Sequence, residues 1–175
     1  MSREYNVLSK LITSFHKVPK TYIYNDDLSI LNCPFYVMEM VDGIILTGNE
    51  VNKRNIKADD FGKISKVWLE TFVELHSLDY KSIGLENLGR PKGYIDRQIE
   101  IWFFQYNIAK TTEIKSADKV IKWLFKNKPS SQNTSLIHND YKYDNVVFKD
   151  ENWNKINSIL DWEMCTIGDP LMDLG

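Results

Sequence analysis

The sequence predicts an α+β fold in two parts, a small sheet-bearing lobe followed by a mainly helical one. Three observations carry this. A helical stripe and two strand-like runs open the chain, helical periodicity fills its middle, and short apolar runs separated by acidic turns close it. At 175 residues, 43% apolar and 26% charged, the chain has the balance of an ordinary globular protein. A chain of this size buries about 70% of its unfolded surface.

Residues 3–14 read as a helix, because Tyr5, Leu8, Leu11 and Ile12 share one face. Val18-Pro19 stops it, since the residue before a proline is driven out of the helical region. Residues 20–25 predict a strand and Asn25-Asp26-Asp27 a turn. Residues 35–41 predict a second strand, apolar on both faces and therefore expected at the centre of a sheet, with Asp42-Gly43 breaking it. Residues 44–59 are polar and show no clear period.

Residues 60–78 carry the strongest helical stripe, Phe61, Ile64, Trp68, Phe72 and Leu75. Gly84, Gly89, Pro91 and Gly93 predict a loop over 79–93. A helix over 94–109 is expected to turn Ile95, Ile99, Trp102, Phe103 and Tyr106 inward. Another over 117–127 is stopped by Lys128-Pro129-Ser130-Ser131. Leu136-Ile137 is a short buried strand and 138–145 a polar loop. Val146-Val147-Phe148 and Ile156–Leu160 are strands joined by a turn at Asp150–Asn154. Trp68, Trp102 and Trp123 read as core or groove residues.

Charge is unevenly spread. The whole chain carries −2, but residues 136–175 hold eight acids against three bases. The balance offers no nucleic-acid footprint. A local surplus of carboxylates has to be solvated, paired or neutralised by a cation. Cys33 and Cys165 fit no metal spacing and read as free thiols of a reducing compartment. The opening MSREYNVLSK is no signal peptide, and no run approaches the ~20 apolar residues of a membrane helix. These features predict a cytoplasmic protein without a membrane partner. They leave the oligomeric state open.

The acidic segment holds the candidate chemistry: His138-Asn139-Asp140-Tyr141-Lys142-Tyr143-Asp144-Asn145, then Ile159-Leu160-Asp161-Trp162-Glu163. A strand ending at Ile137 and a hairpin returning at Leu160 would bring Asp140, Asn145 and Asp161 to one end of a small sheet. A carboxylate able to orient or deprotonate a hydroxyl, beside an amide oxygen and a second carboxylate suited to Mg²⁺, is the minimum set for phosphoryl transfer. His138 reads as a structural residue. His76 is expected to meet the carboxyl end of its own helix, and Asp169 and Asp173 to brace the loop.

These residues also resemble a known family. HNDYKYDN is similar to a kinase catalytic loop, with histidine two before the aspartate and asparagine five after it. ILDWE and the trailing TIGDPLMDL look like aminoglycoside-phosphotransferase-like and choline-kinase-like enzymes. Arg3-Glu4-Tyr5, FYVMEMVDG at 35–43, and GRPKGY at 89–94 with Arg97, Gln98 and Trp102 resemble the branch related to domains fused to acyl-CoA dehydrogenases.

The resemblance implies a bilobal protein-kinase-like fold. Residues 1–43 would form the C-terminal part of the N-lobe and residues 44–175 a helical C-lobe. The fold is expected to be truncated at both ends, without the glycine-rich strand pair and its lysine and without further C-terminal helices. Asp140 is implied as the catalytic residue orienting the acceptor hydroxyl, with His138 propping its loop. Asn145 and Asp161 are implied as the metal ligands, and Glu4 as the partner of the phosphate-holding lysine. Met38 would face the adenine, with the Glu39 carbonyl and Val41 amide on its edge. Asn139 departs from the family's usual glycine.

The expected activity is transfer of the terminal phosphate of ATP or GTP, with Mg²⁺, to a hydroxyl of a metabolite or antibiotic-like substrate. A kinase-fold binding module without catalysis is the alternative. A two-metal phosphoesterase ranks last, because such sites use several histidines and this chain has three.

Overall fold

The computed structural model describes residues 1–129 and 133–174. Helix α1 (Ser2–Leu11) buries Val7, Leu8 and Leu11, with Glu4 in its first turn and Lys10 in its last, each at the end its charge favours. Strand β1 (Thr21–Asn25), the short helix α2 (Leu28–Leu31) and strand β2 (Phe35–Met38) come next. The expected turn at Asn25–Asp27 leads into α2, where the Asp27 carboxylate caps by accepting the Ser29 N–H at 2.9 Å.

β1 and β2 pair antiparallel, from Thr21 opposite Met38 to Asn25 opposite Phe35. The expected central placement of β2 is not met. β1 is its one strand partner among the described residues, and Val37 and Met38 are exposed. Tyr5 of α1 packs against Tyr24 and Tyr36 on one face. An apolar run reports that two faces want cover; it does not say which element supplies the cover.

The unpatterned stretch after Gly43 forms β3 (Ile44–Ile45) and α3 (Gly48–Arg54), the latter capped by Thr47 Oγ1 accepting the Glu50 N–H. Helix α4 (Ala58–His76) buries Ile64, Val67, Thr71, Phe72 and Leu75, as its stripe predicts; Phe61, at the N-terminal end of that stripe, is exposed.

Helices α5 (Tyr94–Ala109) and α6 (Lys115–Asn127) pack on each other. Here the expectation of an inward face on α5 fails for Trp102 and Phe103, whereas Ile95, Ile99 and Tyr106 are half-buried. Trp102 is 60% exposed and Trp123 61%. With Ile99, Phe103 and Leu124 they line an open apolar cavity of about 760 Å³. The stripes are real, but of both helices only Tyr94 is buried. α6 ends at Asn127 before Lys128-Pro129; Ser130 and Ser131 of the expected stop lie outside the described residues.

Strands β4 (Ser135–Ile137), β5 (Val146–Phe148), β6 (Ile156–Ile159) and β7 (Thr166–Gly168) complete the fold, with single 3₁₀ turns at Tyr143–Asn145 and Pro170–Leu174. β5 lies between β3 and β6, and β4 pairs with β7, all antiparallel. One core cluster joins Leu8, Leu11 and Phe15 to Ile64, Phe72 and Leu75, to Val146, Phe148, Ile156 and Ile159, and to Trp162. Trp162 is fully buried, edge-on to Phe15, and its Nε1–H donates to the Ile159 carbonyl at 2.8 Å. Each fully buried Leu, Ile or Phe contributes roughly 1.5–3 kcal/mol. That core is the platform under the acidic loops.

Candidate active site

Ile137 is fully buried, and the chain leaves the core at His138. Asn139 adopts φ 67°, the left-handed region that asparagine tolerates better than most residues. Its side chain secures the turn. Its Oδ1 accepts from the Tyr94 hydroxyl at 3.1 Å and its Nδ2 donates to the Met164 carbonyl at 2.9 Å.

The turn hangs on one carboxylate. The N–H groups of His138 and Asn139 donate to Asp173 Oδ2 and Oδ1 at 2.7 and 2.6 Å. His76 Nε2 meets the same Oδ2 at 2.9 Å, inside the protein. His76 therefore does not serve the end of its own helix, as the sequence suggested. Asp169 caps the closing 3₁₀ turn, its Oδ1 accepting the Leu171 N–H at 3.0 Å.

His138 is fully buried, edge-on to Trp162. Its Nε2–H donates to the Leu160 carbonyl at 2.9 Å, and its Nδ1 accepts the Asp140 N–H at 3.3 Å. That pair of partners requires the neutral ring. Burial pushes its pKa below the usual range, against the opposing charges of Asp173, Asp140 and Asp161.

Asn145 connects the two acidic loops. Its Nδ2 donates to the Asp140 carbonyl at 2.9 Å and to Asp140 Oδ2 at 2.8 Å. Its own carbonyl accepts the Leu160 N–H at 2.8 Å. Leu160 is thus held through its N–H by Asn145 and through its carbonyl by His138, and Asp161 comes next with φ 65°. A non-glycine residue in that region costs of order 1 kcal/mol or more and marks a position fixed by its surroundings. The backbone thus ties the loop of Asp140 and Asn145 to Leu160, the residue before Asp161.

Lys142 was singled out for no role by sequence. Its Nζ lies 2.7 Å from Asp140 Oδ2. The ammonium first, and then the Asn145 amide, hold the Asp140 carboxyl below its usual range. Tyr141, the residue before it, is buried on Trp68 and donates its hydroxyl to the Trp68 carbonyl at 2.9 Å. An opposite charge two residues after the aspartate was the available signal. Tyr94 and His76 gave none, because their partners are 45 and 97 residues away.

Glu4 is half-buried on α1. It sits beside Tyr36, whose phenol is pushed up by burial, then by the Glu4 carboxylate, then by Asp161. Glu4 has no basic partner among the described residues. Met38 and Glu39 are exposed and Val41 half-buried. The Glu39 N–H donates to the Lys20 carbonyl. Its carbonyl and the Val41 N–H have no hydrogen-bond partner among the described residues.

The donor set fits a hard divalent cation. With Nδ2 committed to Asp140, the Asn145 Oδ1 remains an acceptor, and Asp161 adds a carboxylate one residue beyond the pinned Leu160. Among the described residues no group of three or more His, Cys, Asp and Glu side chains converges. Mg²⁺ takes one or two protein oxygens and completes its shell with phosphate and water.

Comparison with known proteins bears on these features together. The description of the phosphotransferase enzyme family (APH) matches residues 1–175. Human acyl-CoA dehydrogenase family member 11 is 37% identical over 175 residues, covering 99% of this chain and 22% of that protein. The chain thus spans about a fifth of such relatives. A crystal structure from Ralstonia eutropha JMP134, provisionally described as an aminoglycoside phosphotransferase, superposes with TM-score 0.89 at 32% identity, over 98% of this chain and 52% of that one. The GDP and kanamycin complex of APH(2")-IIIa shares the fold, with TM-score 0.73 at 18% identity, over 98% of this chain and 58% of that one. No described helix is long and apolar enough to cross a membrane. With the match running the full length, the chain belongs to the phosphotransferase enzyme family, enzymes of kinase type on a bilobal α+β fold.

Proposed function

We propose that this site moves the terminal phosphate of ATP or GTP to a hydroxyl group of a small metabolite. The observation that carries the reading is the double tie of Leu160, the residue before Asp161, to Asn145 and His138. In this reading residues 1–43 belong to the N-lobe and 44–175 to the C-lobe. The base lies against Met38 and hydrogen-bonds the Glu39 carbonyl and the Val41 N–H. Asn145 Oδ1 and Asp161 hold Mg²⁺, which neutralises charge on the phosphates.

Asp140 Oδ2 is already occupied by Asn145 and Lys142. Oδ1 is the atom left to receive the acceptor hydroxyl. A carboxyl held below its ordinary pKa is a poor base and a good orienting acceptor, which is sufficient for a loose phosphoryl-transfer transition state. His138 keeps the loop in shape and moves no proton. Glu4 awaits a cationic partner for the phosphates. The two free cysteines, one buried, suit a reducing compartment, in keeping with a cytoplasmic enzyme.

The test is Mg²⁺-dependent nucleotide binding by calorimetry. Asp161→Ala should abolish it at concentrations that saturate the wild-type chain; undiminished binding would overturn the assignment of the metal site. A second reading, a nucleotide-binding module without turnover, is favoured by one observation, Glu4 beside Tyr36 rather than a lysine. Mg²⁺-dependent release of ADP from ATP by the chain would exclude it.

A further inference from the structure

We infer that the exposed face of α5 and α6 docks the protein on the surface of an anionic lipid bilayer. Neither helix carries a residue to which phosphotransfer is assigned. α5 is apolar on two sides: Ile95, Ile99 and Trp102 share one, and Ile101, Phe104 and Ile108 share another. A surface helix keeps a single apolar side for the core. Here only Tyr94 is buried, while Ile101, Trp102, Phe104 and Ile108 are all exposed.

α6 separates its sides. Lys115, Lys119, Lys122 and Lys126, spaced four, three and four residues apart, form one row, and Ala117, Val120 and Leu124 lie opposite. The four lysines are exposed and form no ion pair among the described residues. Residues 110–128 hold six lysines against Glu113 and Asp118, in a chain whose overall charge is −2. Lys110 meets Glu113 and Lys128 meets Asp96. Between the helices lies the open cavity of about 760 Å³, lined by Trp102 and Trp123.

This combination selects its partner by charge and by depth. A helix with lysines along one side and Trp, Leu and Val along the other lies in the plane of a membrane interface, its apolar side about 5–10 Å into the boundary between headgroups and acyl chains. Its opposite side, a helix diameter of ~10 Å away, then stands at the level of the lipid phosphates. Indole rings favour the same boundary. At 16 and 13 residues the helices are shorter than the ~20 residues of a span, so they lie on the surface. A second copy is the poorer occupant, because self-pairing of this face would bring one lysine row towards another. The expectation of no membrane partner came from the lack of a spanning run, and a helix lying on a surface needs none.

The test is co-sedimentation of the full chain with vesicles of equal parts phosphatidylserine and phosphatidylcholine, against phosphatidylcholine alone. Each lysine near an anionic surface is worth about a fivefold gain. The wild-type chain should therefore bind the anionic vesicles at least about tenfold more tightly, and high salt should remove the preference. Lys119→Gln with Lys122→Gln should weaken binding about twentyfold. Lipids brominated on their acyl chains should quench tryptophan fluorescence, and Trp102→Phe with Trp123→Phe should remove most of that quenching. The salt and quenching measurements on the wild-type chain need no variant to fold. Equal binding to both vesicle types, binding to neither, or no quenching would overturn the inference. So would a lipid-free dimer broken by Trp123→Glu, which would give the face to a second copy.

Discussion

Asp173 is the residue on which the site's shape most directly depends, and Asp173→Asn isolates its role. The side chain is fully buried and takes three donors, the N–H groups of His138 and Asn139 and the ring of His76. In the variant the amide oxygen can keep the Oδ2 position, with two of those partners. The amide nitrogen then faces the Asn139 N–H, donor against donor. A buried N–H left without an acceptor costs ~1–3 kcal/mol. The two surviving bonds lose their charge, worth roughly 1 kcal/mol each, and relief from burying a carboxylate offsets part of the sum. The net is ~2–4 kcal/mol, which for a chain of this length lowers Tm by about 6–12 °C. The assay is a thermal melt paired with amide exchange read residue by residue. Faster exchange should appear first at Asn139. A Tm within about 3 °C of wild type, with Asn139 exchange unchanged, would refute the argument that this carboxylate holds the loop.

The same geometry leads to two further outcomes. His138 is held neutral by burial, so its folded pKa lies below the ordinary ~6.5 of the unfolded chain. The unfolded state therefore takes up the proton first, and stability falls as pH drops below about 6.5 towards the folded value. His138→Gln should flatten the dependence of Tm on pH between 7 and 5.5, and an unchanged slope would count against a buried neutral ring. Gly89→Ala should destabilise by ~1–3 kcal/mol, because a methyl there would lie against Thr166 Oγ1 and 2.8 Å from the Ile167 nitrogen. Chemical denaturation measures this, and a midpoint matching wild type would show that the two loops have room to separate.

Local chemistry was legible in the sequence where its partners are close along the chain. The 3.6-residue stripe of α4 and the short runs of β4, β5 and β6 gave those elements nearly residue by residue. The interval from His138 to Asn145, with the return at Leu160, pointed to the two segments that the Leu160 backbone ties together. The features that were missed depend on distant partners or on cover. The apolar stripe of α5 predicted an inward face, yet Trp102 stays open because periodicity does not specify which surface packs against it. The bond between His76 and Asp173 spans 97 residues and joins a helix end to a 3₁₀ turn, so helix-end reasoning placed His76 wrongly. β3 and α3 arise where no period exists: the two residues of β3 pair with Phe148 and Val147, and Thr47 caps α3.

The demands on Asp140 explain why so much of its loop is tied down. An orienting carboxylate must present one oxygen along one direction, and the Asn145 amide fixes the other oxygen to the loop itself. That restraint would be wasted if the loop could tilt, so the backbone on both sides is anchored elsewhere, at Asp173 before it and at Leu160 beyond it. The hydrogen bonds at Asp173 offset part of the cost of burying its carboxylate.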